Sequence, residues 1–203
     1  MSLNYCFEEE AIRDGYSVVC GVDEAGAGPL MGPVYAAAVI LPLHCEIKGL
    51  NDSKKLTEKR REQLFDEIVE KAIAYAVAFC TEQEIDALNI LRARMLAMQR
   101  AIDALEVSPD FALIDGNRNA GISLPNRMII KGDSRSMSIA AASVVAKVSR
   151  DRFVVEVLDS KYPEYGFAKH KGYGTKLHYA MLDQYGPCDC HRKSFLKKWE
   201  ARR

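Results

Sequence analysis

The sequence lacks a long hydrophobic run and lacks an excess of charge of either sign. Its apolar segments are short, since even the stretch from Val34 to Leu41 ends at Pro42, whereas a membrane span needs about 18 apolar residues. The acidic segment 1–10 has no apolar region of the kind found in a secretory signal, so we expect a cytoplasmic protein without a membrane anchor. The 203 residues are 48% hydrophobic, which excludes a disordered chain and fits one globular unit.

Cysteine is present, but its spacing does not predict a zinc site. Most of the six cysteines lie in apolar stretches and are typical of small buried side chains. The segment Cys188-Asp189-Cys190-His191 resembles a metal knuckle, yet a structural zinc site needs a second ligand pair and usually two or more residues between its cysteines. We therefore expect no zinc site there.

Charge is balanced overall, with 28 basic and 28 acidic side chains, but it is unevenly distributed. Residues 169–203 contain nine Lys and Arg against three Asp and Glu, so the rest of the chain is acidic. This segment is either a phosphate-binding face beside a carboxylate-rich site or a solvated helix surface.

Hydrophobic patterning predicts an α/β unit with a mixed sheet. Short apolar segments predict strands at 16–22, 33–41, 73–80, 110–114 and 127–131. Helical spacing predicts a helix after Thr57, a helix from Thr81 to about 105, another over 136–158, and shorter helices at 175–184 and 193–201. Thr81 and Glu84 form a capping-box pattern, and the first two strands are close enough in sequence for a hairpin.

Four carboxylates stand where predicted strands end: Asp23, Glu24, Asp115 and Asp133. Because sites in α/β sheets form at the carboxyl ends of strands, we expect these acids to converge. Clustered carboxylates repel one another, and Mg²⁺ or Mn²⁺ with oxygen ligands relieves that repulsion. Two such ions promote phosphodiester hydrolysis.

Two features of these acids leave alternatives open. Neighbours in a strand point to opposite faces, so Asp23 and Glu24 face one site only if the chain turns, and Ala25-Gly26 favours a turn. Asp115 in Asp115-Gly116-Asn117 is also typical of a turn, and Asp133 of a cap for the helix that starts near Ser136.

The glycines after the first predicted strand approximate a dinucleotide-binding fingerprint. Gly26-Ala27-Gly28 is followed by Gly32, but Pro29 and Pro33 interrupt the helix that such a fingerprint requires. We therefore discount a dinucleotide site. The glycines still allow the backbone to approach a sugar or phosphate closely.

Several motifs taken together closely resemble the ribonuclease HII family. They are Gly21-Val22-Asp23-Glu24-Ala25-Gly26-Ala27-Gly28-Pro29-Leu30, Asp52-Ser53-Lys54-Lys55-Leu56, Ile114-Asp115-Gly116-Asn117, the stretch from Lys131 to Asp151, His170 to Lys176, and His191 to Phe195. They follow in order over about residues 16–196.

The resemblance implies an RNase H-like mixed central sheet flanked by helices, with a helical C-terminal segment. It implies one monomeric catalytic unit over 1–203, with a core over about 16–160 and a basic helical segment over about 161–203. The implied activity is endonucleolytic cleavage of RNA in RNA–DNA hybrids and at ribonucleotides embedded in duplex DNA, leaving 5′-phosphate and 3′-hydroxyl ends. Replication and repair are the implied processes, and Asp23, Glu24, Asp115 and Asp133 match the family's catalytic, metal-binding carboxylates.

The resemblance also implies a surface for nucleic acid. Gly26, Ala27, Gly28 and Tyr173 match the positions that examine the 2′-hydroxyl, and Lys54, Ser143 and Lys147 match positions assigned to phosphates. The family has Gly-Arg-Gly where this chain has Ala27 between its glycines, so we expect weaker substrate binding with retained ribonucleotide preference. Two other functions stay open, a DNA-directed nuclease of the same fold and a hybrid-binding module without catalysis.

Overall fold

The computed structural model describes residues 3–117 and 121–202, and its centre is a five-stranded mixed sheet. The strands are β1 (Val19–Ala25), β2 (Val34–Ile40), β3 (Ala74–Cys80), β4 (Phe111–Asp115) and β5 (Asn126–Ile129). Their order across the sheet is β3-β2-β1-β4-β5. β2 is antiparallel to both β1 and β3, whereas β4 is parallel to β1 and β5 is parallel to β4. The predicted mixed sheet and its initial hairpin are confirmed.

Helices cover both faces of this sheet. They are α1 (Cys6–Arg13), α2 (Glu58–Lys71), α3 (Glu82–Leu88), α4 (Ile90–Asp103), α5 (Met137–Phe153), α6 (Asp159–Lys161), α7 (Phe167–His170), α8 (Lys176–Tyr185) and α9 (Lys193–Glu200). A π-helical turn, Val154–Leu158, joins α5 to α6. Within the described ranges, no helix is long and apolar enough to cross a membrane.

Small residues in β1 and β2 let two helices pack closely on the sheet. Ala36 and Ala38 face the side covered by α4, and Ala37 and Val39 face the side covered by α5. At Gly21, an added Cβ would lie 2.1 Å from the carbonyl carbon of Ser138 in α5, so no larger residue fits there. This close approach brings the middle of α5 to the end of β1, where two of the predicted site residues lie.

The predicted helix over 81–105 is two helices. Its capping box is confirmed, because Thr81 and Glu84 exchange hydrogen bonds at the start of α3. The helix then breaks at Asn89, whose φ of 69° is left-handed and whose side chain accepts the N–H groups of Leu91 and Arg92 to begin α4. Asn tolerates this backbone conformation better than most residues, which makes the break a local property of the sequence.

The C-terminal helices pack against the loop that follows β1. Leu30 and Met31 of that loop are buried among side chains that include Phe167, Leu182 and Leu196. A β-bridge joins Met31 to His191, and the N–H of Leu30 donates to the carbonyl of Gly172 over 2.9 Å. The conformation of this loop therefore depends on residues that are far away in the sequence.

Candidate active site

Asp23 and Glu24 lie inside β1 and not in a turn. They pair with Ala37 and Ala36 of β2, and the chain turns only at Gly26, which has a φ of 90°. The predicted turn therefore comes too late to bring the two side chains to one face. Asp23 interacts with Ser143 of α5, whereas Glu24 faces α4. The acidic site consequently spans both faces of the sheet at the end of β1.

A hydrogen bond from the residue before Asp133 to the side chain of Asp115 brings these two acids together. Asp115 is the last residue of β4, and its Oδ1 accepts the N–H of Gly132 over 2.7 Å. Asp133 follows in a short 3-10 turn, and Ser136 rather than Asp133 caps α5 by accepting the N–H of Ile139. The interpretation of Asp133 as the cap of this helix is wrong, so its carboxylate is not used for capping.

Burial and mutual repulsion act on these acids. Burial, followed by the charges of Glu24 and Asp115, raises the pKa of Asp23 well above its ordinary value. Burial, with Asp115 and Asp52, raises the pKa of Asp133 to about 6. Asp23 and Asp133 are only 4% and 6% exposed. The acids are therefore close enough to disfavour one another's ionisation.

Two cations offset part of this repulsion. Burial alone would lower the pKa of Lys54, but Asp23, Asp133, Asp52 and Asp115 outweigh it and raise that pKa. On the other face of the sheet, Nη2 of Arg94 in α4 lies 2.8 Å from Oε1 of Glu24. The sequence motifs that contain the first three acids carry no cation, so neither role is evident from them. Sequence reasoning missed Arg94 because only its position among buried residues of α4 distinguishes it.

The donor set suits a hard divalent cation. All four side chains offer carboxylate oxygens, and Oε2 of Glu24 is buried without a hydrogen-bond partner. No three of these four carboxylates bring oxygen atoms within 4.8 Å of one another. In the described part of the chain, only the donor atoms of Cys188, Cys190 and His191 lie that close together. The residues fit Mg²⁺ or Mn²⁺ by chemistry, charge and burial.

The residues predicted to contact nucleic acid line one pocket beside Glu24. These are Gly26, Ala27, Gly28, Lys54, Ser143, Lys147 and Tyr173. The ring of Tyr173 lies over the glycine loop, which is the segment 26–32 after β1, since a Cβ on Gly28 would be 3.7 Å from its Cε1. Nζ of Lys147 lies 5.8 Å from the centroid of the same ring and 2.8 Å from Oδ1 of Asp151. The structure thus brings the predicted surface residues together next to the acids.

The side chain of Arg192 fixes the conformation of the glycine loop through hydrogen bonds to its backbone. This role was not predicted from the sequence. Its buried guanidinium donates to the carbonyls of Gly26, Ala27, Pro29 and Gly32 over 2.7–3.2 Å. Arg192 lies in the motif from His191 to Phe195. Its partners are backbone carbonyls, which every residue has, so no residue type or spacing in the sequence identifies them.

Comparison with known proteins agrees with this geometry. The family model described as Ribonuclease HII matches residues 20–198. The chain belongs to the ribonuclease HII family. It is 55% identical to Ribonuclease HII of Caldicellulosiruptor saccharolyticus over 94% of this chain and 92% of that protein. It is 56% identical to Ribonuclease HII of Aliivibrio salmonicida over 89% of this chain and 87% of that one.

A solved structure supports the fold of this ribonuclease HII family member. The ribonuclease H2 of Pyrococcus horikoshii OT3 superposes with a TM-score of 0.73 at 29% identity, covering 92% of this chain and 98% of that one. The RNase H-like architecture predicted from the motifs is confirmed. Homologues of this identity support ribonuclease H activity for the chain.

Proposed function

We propose that this ribonuclease HII family member is a metal-dependent endoribonuclease. Its substrates are RNA in RNA–DNA hybrids and ribonucleotides embedded in duplex DNA, and its products carry 5′-phosphate and 3′-hydroxyl ends. Removal of ribonucleotides during replication or repair is the role that fits these substrates. The proposal rests above all on the buried acids beside the pocket, because a protein that only bound nucleic acid would gain nothing from negative charge near phosphates.

Asp23, Glu24, Asp115 and Asp133 would hold Mg²⁺ or Mn²⁺. Such cations, when bound, help to activate the attacking water and to stabilise the leaving oxygen. Arg94 holds one oxygen of Glu24 and leaves the other without a protein partner, so we infer that it positions this carboxylate. Lys54 interacts with several of the acids and lines the pocket, where its charge would also attract a phosphate.

The pocket beside these acids would read the ribonucleotide. One wall of the pocket is the backbone of Gly26, Ala27 and Gly28. Arg192 donates hydrogen bonds to the carbonyls of Gly26 and Ala27, and the ring of Tyr173 lies next to Gly28. A 2′-hydroxyl is both donor and acceptor, so a rigid backbone loop opposite a tyrosine can distinguish RNA from DNA. Ser143 and Lys147 line the same pocket and would contact backbone phosphates. Cytoplasmic localisation, a monomeric state and a single catalytic unit stay predictions from the sequence.

Cleavage of three duplexes tests the proposal directly. One duplex is DNA with a single ribonucleotide, the second is an RNA–DNA hybrid, and the third is all DNA, each incubated with Mg²⁺, with Mn²⁺ or with a chelator. We expect metal-dependent cutting on the 5′ side of the lone ribonucleotide and cutting within the hybrid, with the all-DNA duplex left intact.

Variants separate the candidate chemistry from general damage. Asp23→Asn should bind the hybrid but not cut it, and Asp14→Asn, at an exposed acid in the same chain, should cut like the parent. Cutting of all-DNA substrates would favour the DNA-directed nuclease. Tight hybrid binding without cutting by the parent chain under either metal would favour the binding module.

A further inference from the structure

Two sulfur atoms and an imidazole nitrogen come together between α8 and α9, outside the acidic site. Sγ of Cys188 lies 3.3 Å from Sγ of Cys190 and 3.1 Å from Nδ1 of His191. All three donor atoms lie within 4.8 Å of one another. The sequence spacing argued against a metal ligand set here, but the chain folds so that residues separated by one and two positions converge.

These separations are close to those that one tetrahedral zinc ion imposes. Zn–S bonds of about 2.3 Å at tetrahedral angles place two sulfurs about 3.8 Å apart, and a Zn–N bond of about 2.1 Å gives a slightly shorter S–N separation. Around such an ion, the S–S and S–N contacts of Cys188 would therefore each open by about 0.5 Å. The two cysteines are free thiols, and their sulfurs are much farther apart than the roughly 2.05 Å of a disulfide bond.

The hydrogen bonds of His191 direct an unprotonated nitrogen toward the thiols. Nδ1 of His178 lies 3.1 Å from the carbonyl of Tyr173, which can only accept, so the proton of His178 is on Nδ1. Nε2 of His178 must then accept from Nε2 of His191 over 3.0 Å. Nδ1 of His191 is then unprotonated, and the carbonyl of Cys188, 3.3 Å away, receives no proton from it. Its lone pair accepts the N–H of Cys188 over 3.1 Å, and a bound ion would replace that hydrogen bond. A histidine oriented through its other nitrogen is the usual arrangement at metal sites.

The cluster opens on a cavity with acidic walls. Cys188 and His191 line it, together with three acids, Glu82, Asp86 and Asp189, and one base, Lys193. Cys188 is partly exposed, whereas Cys190 and His191 are buried, so an ion would reach the cluster from the side of Cys188. Negative charge at this opening favours a cation over an anion.

We propose that Cys188, Cys190 and His191 bind a thiophilic divalent cation of the Zn²⁺ class, separate from the carboxylate site. Thiolate and imidazole ligands select such ions over Mg²⁺. Three protein ligands leave a fourth position for water or for a carboxylate of the cavity. The ion would fasten the C-terminal segment to the loop after β1, because the carbonyl of Cys190 accepts the N–H of Gly32 and Arg192 follows His191 directly.

Spectroscopic titration of the reduced full-length chain with Co²⁺ tests this site. Thiolate ligands give Co²⁺ a sulfur-to-metal charge-transfer band that carboxylates cannot give, and excess Mg²⁺ keeps the acidic site from taking up Co²⁺. We expect the band to saturate at equimolar Co²⁺ in the parent chain and in Cys6→Ser, the control at an exposed cysteine. Cys188→Ser and Cys190→Ser should lose it, and Zn²⁺ should displace Co²⁺ and abolish the band.

Thermal unfolding supplies a second readout. Zn²⁺ should raise the unfolding temperature of the parent chain more than that of Cys188→Ser, which changes the more exposed ligand and is expected to fold. Absence of the charge-transfer band in the reduced parent chain, or its survival in both serine variants, would overturn the proposal. A disulfide is the competing explanation. It would replace the proposal if air oxidation removed two titratable thiols only in chains that retain both Cys188 and Cys190, and if the reduced chain then bound no metal.

Discussion

The guanidinium of Arg192 donates to the backbone carbonyl of Gly26 over 2.7 Å, across 166 positions of sequence. Three further carbonyls of the same loop accept from this side chain, which is completely buried. A guanidinium is the one side chain whose fixed fork of donors can satisfy so many diverging acceptors at once. The shape of the loop therefore depends on the C-terminal segment.

Arg192→Lys should weaken both folding and substrate binding. An ammonium cannot reach all four carbonyls, so at least one buried acceptor is left unpaired and the free energy of unfolding should fall by about 3 kcal/mol. Urea denaturation measures this loss, and a binding titration with an RNA–DNA hybrid measures the effect on the loop. Arg202→Lys, at an exposed position, is the matched control. Parent-like unfolding in Arg192→Lys would show that the clamp adds nothing to stability.

Arg94→Gln should lower the cleavage rate without unfolding the chain. The substitution leaves Glu24 with no charged partner on the α4 side, so its carboxylate is less well positioned and harder to ionise. We expect a drop of about tenfold in turnover, which is about 1.4 kcal/mol of activation free energy, with partial rescue by Arg94→Lys. Single-turnover kinetics at saturating metal are the measurement.

Arg92→Gln serves as the control for that experiment. Arg92 lies two positions away in the same helix and is exposed. An equal loss in both variants would mean that the effect comes from α4 and not from the contact with Glu24.

The fold was predictable from the sequence to the extent that it depends on local patterns. Strand segments rich in small and β-branched residues are visible in the sequence, and so is the cap at Thr81. The break at Asn89 was not predicted, because the apolar helical pattern continues through it. The geometry at Asp23 and Glu24 depends on how far β1 stays paired with β2, which is a tertiary property.

The carboxylates of the site could be predicted from the sequence, but the residues that position them and the glycine loop could not. Motifs pointed to the carboxylates and to Tyr173, whereas Arg94 and Arg192 act through contacts that only the folded chain creates. The convergence at Cys188 was not predicted for a related reason. Ligand spacing rules assume common loop conformations, and the tight turn from Cys188 to His191 brings its donor atoms together differently.

Asp133→Asn should abolish cleavage but stabilise the metal-free protein. The pKa of Asp133 is raised from 3.8 to about 6 in the folded chain, so the folded state binds more protons than the unfolded state between these values. Stability contributed by this group is thus present at low pH and is lost as the pH rises through about 6. Asparagine removes that loss, so above this range the variant should be more stable by about 1 kcal/mol after allowance for solvent screening.

Urea unfolding in chelator, near neutral pH and at about pH 4, measures this difference. The gain should be present near neutrality and absent in acid, and Asp14→Asn should show neither effect. A destabilised Asp133→Asn at neutral pH would mean that hydrogen bonds of the carboxylate outweigh its repulsion.

Ala27→Arg should strengthen substrate binding. Ala27 lines the pocket where the family pattern has an arginine, and its carbonyl is already fixed by Arg192. A charged phosphate contact contributes about 1.5–3 kcal/mol, which corresponds to about 10- to 150-fold in affinity. Titration of a catalytically inactive Asp23→Asn background with labelled hybrid measures the gain. Ala27→Gln, which has a long side chain without charge, should show little of it, and equal affinities for Arg and Ala at this position would contradict the prediction.

The basic C-terminal segment should bind phosphates in a way that depends on salt. Deleting residues 169–203 is a poor test, because it removes Arg192 and Tyr173 as well. Lys169 and Lys176 are exposed and close in sequence to Tyr173, so their replacement by glutamine removes charge and leaves the clamp intact. For every phosphate that a variant no longer neutralises, the slope of log affinity against log salt concentration should become shallower by about 0.9.

Binding titrations at several salt concentrations give this slope for Lys169→Gln, Lys176→Gln and the double variant. Arg13→Gln, an exposed charge on α1, is the control for a general change in net charge. We expect the slope of the double variant to be shallower by about two units, while its unfolding curve stays that of the parent chain. A slope that stays unchanged in the double variant would identify this part of the segment as a solvated surface, the alternative that its charge pattern left open.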